Sequence, residues 1–442
     1  MTLKTPKKSP CHIAFSILTL STLVGSAEIQ AKTLPLSSTR SSATLQSRTA
    51  YDPQLTTKTI AFWQKRVESD PRGAIALREL GNAYLHRARE KGTIEDVVRA
   101  EGAARHSLNV LPERQNMGAT LVLARSLLTQ HRFPEALAVA DRAAKMNNGS
   151  ATVQELRADI LLELGEHSKA EQALAQIIFI GDSKKNDLSY KALRARMLES
   201  KGQFPASLAL MKEASLQADQ LVDMPVESVA WYHTMIGHSL IDRGRLEEGE
   251  KRCRRALQIF PDDYRAMTGL AEVAMWRGDW NQVIAWGLKS ARLAPQNPEI
   301  RILLGEAYAA QGKTAQSKQQ YNLLRKLSSS FPRIYDRNWA SFLADNKMDL
   351  DQAIAIARRD LRLRQDVGAY ETLAWACYKA GLTSEANINM DIALSKIGPR
   401  DASFFYRAAL IKRASGQPMQ AKLFMQRAQA YNPYFIKAMN RS

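Results

Sequence analysis

Cysteine is scarce, with three in 442 residues. Cys11 stands ahead of an apolar run, and Cys253 and Cys377 lie more than a hundred residues apart. No disulfide is expected to hold the fold, and each later thiol reads as a small core residue. Catalytic signatures are missing too. There is no HExxH, no CxxC and no phosphate-binding GxxxxGK. Gly237-His238-Ser239 does not continue as a nucleophile elbow, which needs a glycine two residues after the serine. His233 and His238 are five residues apart, so on a helix they diverge by about 140°, poor geometry for a shared metal. Acidic pairs such as Glu247-Glu248 read as solvated helix faces. These absences leave no basis for an enzyme, a cofactor or a metal site. After the first thirty residues no stretch is long and apolar enough to cross a membrane.

What is present begins with charge. The chain carries a formal +18 with pI near 9.8, and 45% of its residues are hydrophobic. A single core rarely grows to this length, so several domains or repeats are expected. Lys4, Lys7 and Lys8 precede His12 to Ala27, an uncharged apolar stretch that ends in Gly25-Ser26-Ala27. This is the pattern of a secretory signal, with cleavage expected after Ala27 or, as the alternative, after Ala31. Residues 1–27 are therefore read as a signal peptide and 28–58, rich in Ser and Thr, as a flexible linker. The expected location is periplasmic or secreted. Export and the lack of a recognition motif argue against nucleic acid as the partner of the basic chain.

From about Ile60 the sequence is helical in character and repeats. A small residue recurs early in the first helix of each unit, at Gly81, Ala124, Ala158, Gly237, Ala271, Gly305, Ala340, Ala374 and Ala409, mostly 34 to 36 residues apart. A second series, including Ala100, Ala136, Ala170, Ala206, Gly249 and Ala386, follows the first by 12 residues in most units. Small side chains at both points let two antiparallel helices approach closely. Gly165, Gly202, Gly244, Gly278, Gly312, Gly381 and Gly416 fall in the turn between the helices, and Pro112, Pro261, Pro295 and Pro433 close units.

Leu80-Gly81-Asn82-Ala83-Tyr84 and Leu304-Gly305-Glu306-Ala307-Tyr308, with Ala421, Phe424, Ala428 and Pro433 in a later second helix, resemble the tetratricopeptide repeat. The whole order resembles a group of exported bacterial proteins made only of such repeats, whose molecular role is undefined. The resemblance implies an all-α fold, a right-handed superhelical solenoid of about ten hairpins. Units one to four are placed at 59–216, a loop at 217–229, units five to ten at 230–435 and a tail at 436–442. Three places depart from the pattern: a long connection in unit one, Arg194 where unit four wants a small residue, and Trp339 where unit eight wants leucine.

A stack of hairpins makes a concave face lined by first helices. By resemblance, ten acidic groups, among them Glu155, Asp159, Asp242, Glu272, Glu306, Asp345 and Glu371, face seven basic ones, among them Arg125, Arg265 and Arg337. A groove that prefers neutral or basic segments is one reading; charges that merely solvate helices is the other. Trp231, Trp276, Trp375, Tyr378 and Tyr406 are the aromatic groove positions. Trp231, His238, Asp242, Glu272 and Trp276 are expected to cluster as the leading partner-binding patch, with Glu306 beside them. Lys251, Arg252, Arg254 and Arg255, and Arg358, Arg359, Arg362 and Arg364, are expected to form basic clusters on the convex side. The leading expectation is a non-catalytic scaffold that binds a protein or peptide segment. The alternative is binding of an anionic glycan or membrane surface. Groove positions lack the lysine and asparagine set of a carboxylate clamp. The sequence is silent on oligomeric state.

Overall fold

The computed structural model describes residues 51–178 and 187–435, and all regular structure among them is helical. The expected signal peptide, most of the expected linker and the tail at 436–442 lie outside the described residues. Helix α1 (Leu55–Ser69) comes first. Ten hairpins follow, the units one to ten of the spacing analysis. They are α2 (Ala74–Lys91) with α3 (Ile94–Val110), α4 (Met117–Thr129) with α5 (Phe133–Met146), α6 (Ala151–Glu163) with α7 (His167–Ala175), α8 (Leu188–Ser200) with α9 (Phe204–Gln220), and α10 (Val226–Ile241) with α11 (Leu246–Ile259). The second half has α12 (Tyr264–Arg277) with α13 (Trp280–Leu293), α14 (Pro298–Ala310) with α15 (Thr314–Ser330), α16 (Pro332–Asp345) with α17 (Leu350–Leu363), α18 (Val367–Lys379) with α19 (Thr383–Ser395), and α20 (Ala402–Ala414) with α21 (Pro418–Tyr431).

The small-residue series marks real crossings. A Cβ on Gly237 would lie 2.7 Å from Cys253 Sγ and 3.3 Å from the Gly249 carbonyl oxygen, so the backbones of α10 and α11 meet there. Gly81 approaches the Ala100 carbonyl in the same way, at 3.3 Å for an added Cβ. Gly305 differs: its close neighbour is the Tyr321 ring, not Ser317. Helix starts are fixed by polar caps. Asp263 accepts from the N–H groups of Arg265 and Ala266, Asp366 from Ala369 and Asp401 from Phe404, each satisfying donors that a helix start leaves open.

The structure shifts two boundaries and fills one gap. Helix α1 begins at Leu55, inside the stretch read as linker, because Ile60 and Trp63 pack on the core of unit one. The loop expected at 217–229 contracts to 221–225, since Ala214, Ala218, Val229 and Tyr232 bury one another and extend both helices. In unit eight, Trp339 is buried, stacks on Phe342 at 5.3 Å and donates to Gln352 Oε1 at 3.1 Å, so a hairpin forms despite the missing leucine.

The hairpins wind into a spiral whose successive turns touch. The Ile94 N–H, after the turn of unit one, donates to Gln296 Oε1 at 2.8 Å, just ahead of unit seven. In unit two, His131 Nδ1 lies 3.2 Å from the Arg333 carbonyl oxygen of unit eight. Gly165 of unit three rests on Asp366, the cap of unit nine; an added Cβ would lie 3.1 Å from Asp366 Cα. Gly165 also has φ +80°, so both the close approach and the backbone conformation call for glycine there. The Gly398 N–H, before unit ten, donates to the Ser200 carbonyl of unit four at 3.3 Å. Finally, Asn432 Nδ2 donates to the Asp242 carbonyl of unit five at 3.1 Å. The turns of units one to four thus sit at the entrances of the hairpins six places further on, and that of unit five meets the residues that follow unit ten.

Candidate interaction surface

A spiral this tight turns its concave face into an interior. Of the inward residues singled out from the sequence, Trp231, Glu272, Glu306 and Trp375 are buried, while His238, Asp242, Trp276, Tyr378 and Tyr406 are partly buried. An open groove lined by all nine is therefore not what forms. Adjacent units cover Trp231 and Trp375, whereas His238, Asp242 and Glu272 face Ile94, His131 and Ile334 of other turns across a cavity.

The expected patch divides. His238, Asp242 and Glu272 share one cavity wall. His238 Nδ1 lies 3.2 Å from Glu272 Oε2, and its Nε2 lies 3.0 Å from the Arg265 carbonyl oxygen. Two acceptors on the two ring nitrogens suit an imidazolium. Burial opposes that charge, but the Glu272 carboxylate outweighs it and raises His238 to about 10. Burial, and then the Glu272 charge, push the Asp242 carboxyl well above its ordinary range. Trp231 leaves the patch and packs with Tyr232, Leu188 and Ala192 towards unit four. Trp276 faces Phe435 instead, with ring centroids 6.0 Å apart.

Glu306 is buried, and one of its carboxyl oxygens has no hydrogen-bond partner among the described residues. Burial first, and the nearby Asp345 second, push its carboxyl well above the ordinary range. Trp375 donates to Asp345 Oδ1 at 2.7 Å and lies between Tyr378, Lys379 and Arg407, at 5.3, 4.8 and 5.0 Å.

The arginines that answer the acidic positions were not marked by the repeat spacing of small residues. Arg196 binds Glu163 at 2.8 Å and also holds Asp159. Arg407 reaches Glu371 at 3.2 Å and Asp345 at 3.3 Å. A signal was available: Arg196 follows Glu163 by 33 residues and Arg407 follows Glu371 by 36, about one repeat. Much of the acidic excess is thus neutralised within the chain.

The basic clusters fare similarly. Arg254 pairs with Glu250, Arg358 with Glu385 and Arg359 with Asp336, at 2.7 to 2.8 Å. Arg255 stands 3.8 Å from Asp219, and Arg252 meets His233 Nδ1 at 3.1 Å. Arg364 is a correction to the expected surface cluster: it is buried, paired with Asp360 at 2.9 Å and stacked over Phe133 of unit two at 5.3 Å. The contact between turns encloses it. Lys251 and Arg362 remain exposed.

Two cavities, about 200 and 90 Å³, open along the spiral axis and share His131, Met235, Asp242 and Ile334. Burial pushes His131 down to about 4, so its ring in the shared wall is neutral. Further along the inner face, Phe435 packs between Trp276, at 6.0 Å, and Tyr406, at 5.6 Å. Two aromatic positions read from the sequence as partner anchors thus hold a side chain of the same polypeptide.

The family model for the tetratricopeptide repeat matches residues 121–185 and 234–298, which span units two to three and five to six. The fold, consecutive packed helix hairpins, matches a tetratricopeptide-repeat solenoid. Solved structures similar to this chain include the APC/C hetero-tetramer Cut9-Hcn1, at 15% identity over 88% of this chain and 93% of that one, with TM-score 0.34. PilW, a widely conserved type IV pilus biogenesis factor, gives 21% identity over 48% and 92%, with TM-score 0.36. A tetratricopeptide repeat protein from Parabacteroides merdae gives 16% over 57% and 97%, with TM-score 0.38. No curated protein matches the sequence. Among the described residues no helix is long and apolar enough to cross a membrane.

Proposed function

We propose that this repeat chain is a non-catalytic protein-interaction scaffold, exported through residues 1–27 and working in the bacterial envelope or outside the cell. It takes an aromatic-bearing polypeptide segment on its inner face at Trp276 and Tyr406. The observation that carries this reading is Phe435, seated between those two rings at 6.0 and 5.6 Å. Aromatic pairs at such distances contribute about 0.5–1.5 kcal/mol beyond burial of their area. A partner segment with the same chemistry would displace Phe435 and the short helical stretch that carries it. The fold supports the same reading, since stacked helix hairpins offer extended surfaces to polypeptides. The alternative, an anionic glycan or membrane surface, has less support, because most arginines of the two basic clusters are already paired.

The test uses a synthetic peptide spanning residues 430–442 as probe. Its binding to the chain with Phe435→Ala, read by tryptophan fluorescence, is expected to be tighter than to the unaltered chain and to fall with Trp276→Ala or Tyr406→Ala. Equal binding by all four proteins would overturn the assignment. Binding of anionic vesicles instead, abolished by salt, would move the site to the convex side. Export is tested separately, by fusing residues 1–32 to a reporter that is active only outside the cytoplasm.

A further inference from the structure

The contact between units one and five brings three donor groups together. His86 and Glu90 stand four residues apart on α2, hence on one face a turn apart. Glu227 lies in the first turn of α10, from the other side of the spiral. His86 Nε2 is 2.9 Å from Glu227 Oε1 and 3.6 Å from Glu90 Oε1, and the three donor atoms lie within 4.8 Å of one another. Although it touches Glu227, the buried Nε2 makes no properly directed hydrogen bond. Each carboxylate is steadied by a hydroxyl: Thr56 donates to Glu90 at 2.9 Å and Ser228 to Glu227 at 3.0 Å. Such outer partners commonly orient the ligands of a metal.

We propose that His86, Glu90 and Glu227 form a binding site for a first-row divalent cation of the zinc type. One imidazole and two carboxylates suit zinc, cobalt or manganese, whereas calcium takes six to eight oxygens. Zinc bonds of about 2.0–2.2 Å set tetrahedral ligand atoms about 3.3–3.5 Å apart. The 2.9 and 3.6 Å contacts bracket that spacing, and small carboxylate rotations complete it. A fourth position is left for water, since the His86 side chain is 29% exposed. Arg89, 4.0 Å from Glu227, balances the carboxylates when the site is empty. Bound metal ties the first helix of unit one to the first helix of unit five.

The experiment is calorimetric titration of the metal-stripped, full-length protein with zinc chloride, with calcium chloride as control, alongside melting curves in zinc and in EDTA. One zinc per chain is expected, with a higher melting temperature in zinc. His86→Ala and Glu90→Gln should each weaken binding at least about 30-fold and remove the zinc-dependent shift, in the 10- to 100-fold range that even outer partners of metal ligands command. His106→Ala, at an exposed histidine elsewhere on the surface, should behave as the unaltered chain. Glu90→Gln guards against a folding defect, being a near-isosteric change checked by its melting curve in EDTA. Cobalt in place of zinc should give visible absorption that Glu90→Gln alters. No zinc uptake, or uptake unchanged in both variants, would overturn the proposal and leave a plain ion pair between units one and five.

Discussion

Gly237 offers the sharpest test of how the hairpins are packed. Its added Cβ would lie 2.7 Å from Cys253 Sγ, and an added Cβ on Gly269 of the next unit would lie 2.8 Å from the same sulfur. Cys253 therefore fills a slot between two glycine backbones. Comfortable contacts between such atoms are about 3.5–4.0 Å, so Gly237→Ala demands a shift of about 1 Å at a buried crossing. Overpacking of that kind costs about 1–3 kcal/mol, and the better helix propensity of alanine returns about 1 kcal/mol. The expected net loss is up to about 2 kcal/mol for Gly237→Ala and more for Gly237→Leu. Cys253→Ala removes the obstructing sulfur and by itself leaves a small void. In the double variant Gly237→Ala should be neutral or stabilising, which gives a favourable coupling of about 1–3 kcal/mol. Urea denaturation followed by helical circular dichroism on the four proteins reads this directly. An unchanged midpoint for Gly237→Leu, or strictly additive effects of Gly237→Ala and Cys253→Ala, would refute the crossing geometry.

Stability should also depend on pH in a defined way. Burial, and then the Asp187 charge, raise Glu155 from an ordinary 4.5 to about 9. The folded chain keeps a proton there that the unfolded chain loses, so this contribution is complete below about pH 4.5 and declines up to about pH 9, by about 3 kcal/mol at pH 7. Glu155→Gln should match the unaltered chain near pH 5 and exceed it at pH 8 in melting temperature; parallel pH profiles would contradict the assignment. His238, raised to about 10 by Glu272 against the effect of burial, adds to the alkaline decline from about pH 6.5 upward. On the acid side, burial raises Asp360, but Arg337 and Arg364 outweigh it and hold the carboxyl near 2. Its stabilising effect is present above about pH 4 and lost as pH falls towards 2. Arg364→Ala should destabilise by about 3 kcal/mol at pH 7, because it leaves a buried carboxylate short of a partner and strips a cation from Phe133; a loss below 1 kcal/mol would show that Arg337 alone suffices. Gln296→Ala removes both the bond to Ile94 and the contacts with Glu95, at 2.8 Å each. Amide exchange at Ile94 should quicken while unit seven's core keeps its protection.

The hairpins were legible because their information is local. Gly81, Gly237 and Gly249 advertise close crossings, and Gly165 or Gly244 advertise turns, through the absence of a Cβ that any neighbour would meet. Arg196 and Arg407 were legible in principle, as basic residues one repeat beyond their acids. Closure of the spiral was not. The meeting of His131 with Arg333, 202 residues on, follows from a small rotation summed over six hairpins, and no single unit encodes that sum. The same gap in local information explains the groove. Asp242 and Glu272 face a cavity also walled by Ile94, His131 and Ile334, and only the pitch decides that these turns meet. His131 and Lys347, at φ 55° and 51°, occupy turn positions held elsewhere by glycine, so turn chemistry alone under-reads units two and eight.

Contacts between turns also bear on how such a chain can change in evolution. Where only neighbouring repeats touch, one hairpin can be duplicated or lost, and the array merely lengthens or shortens. Here Gly165 must find Asp366, Ser200 must find Gly398 and Asp242 must find Asn432. Removing one internal hairpin would offer each loop the wrong partner, all along the seam at once. The repeat number is therefore constrained as the tooth count of meshed gears is constrained, and point substitution is left as the main route by which this chain can vary.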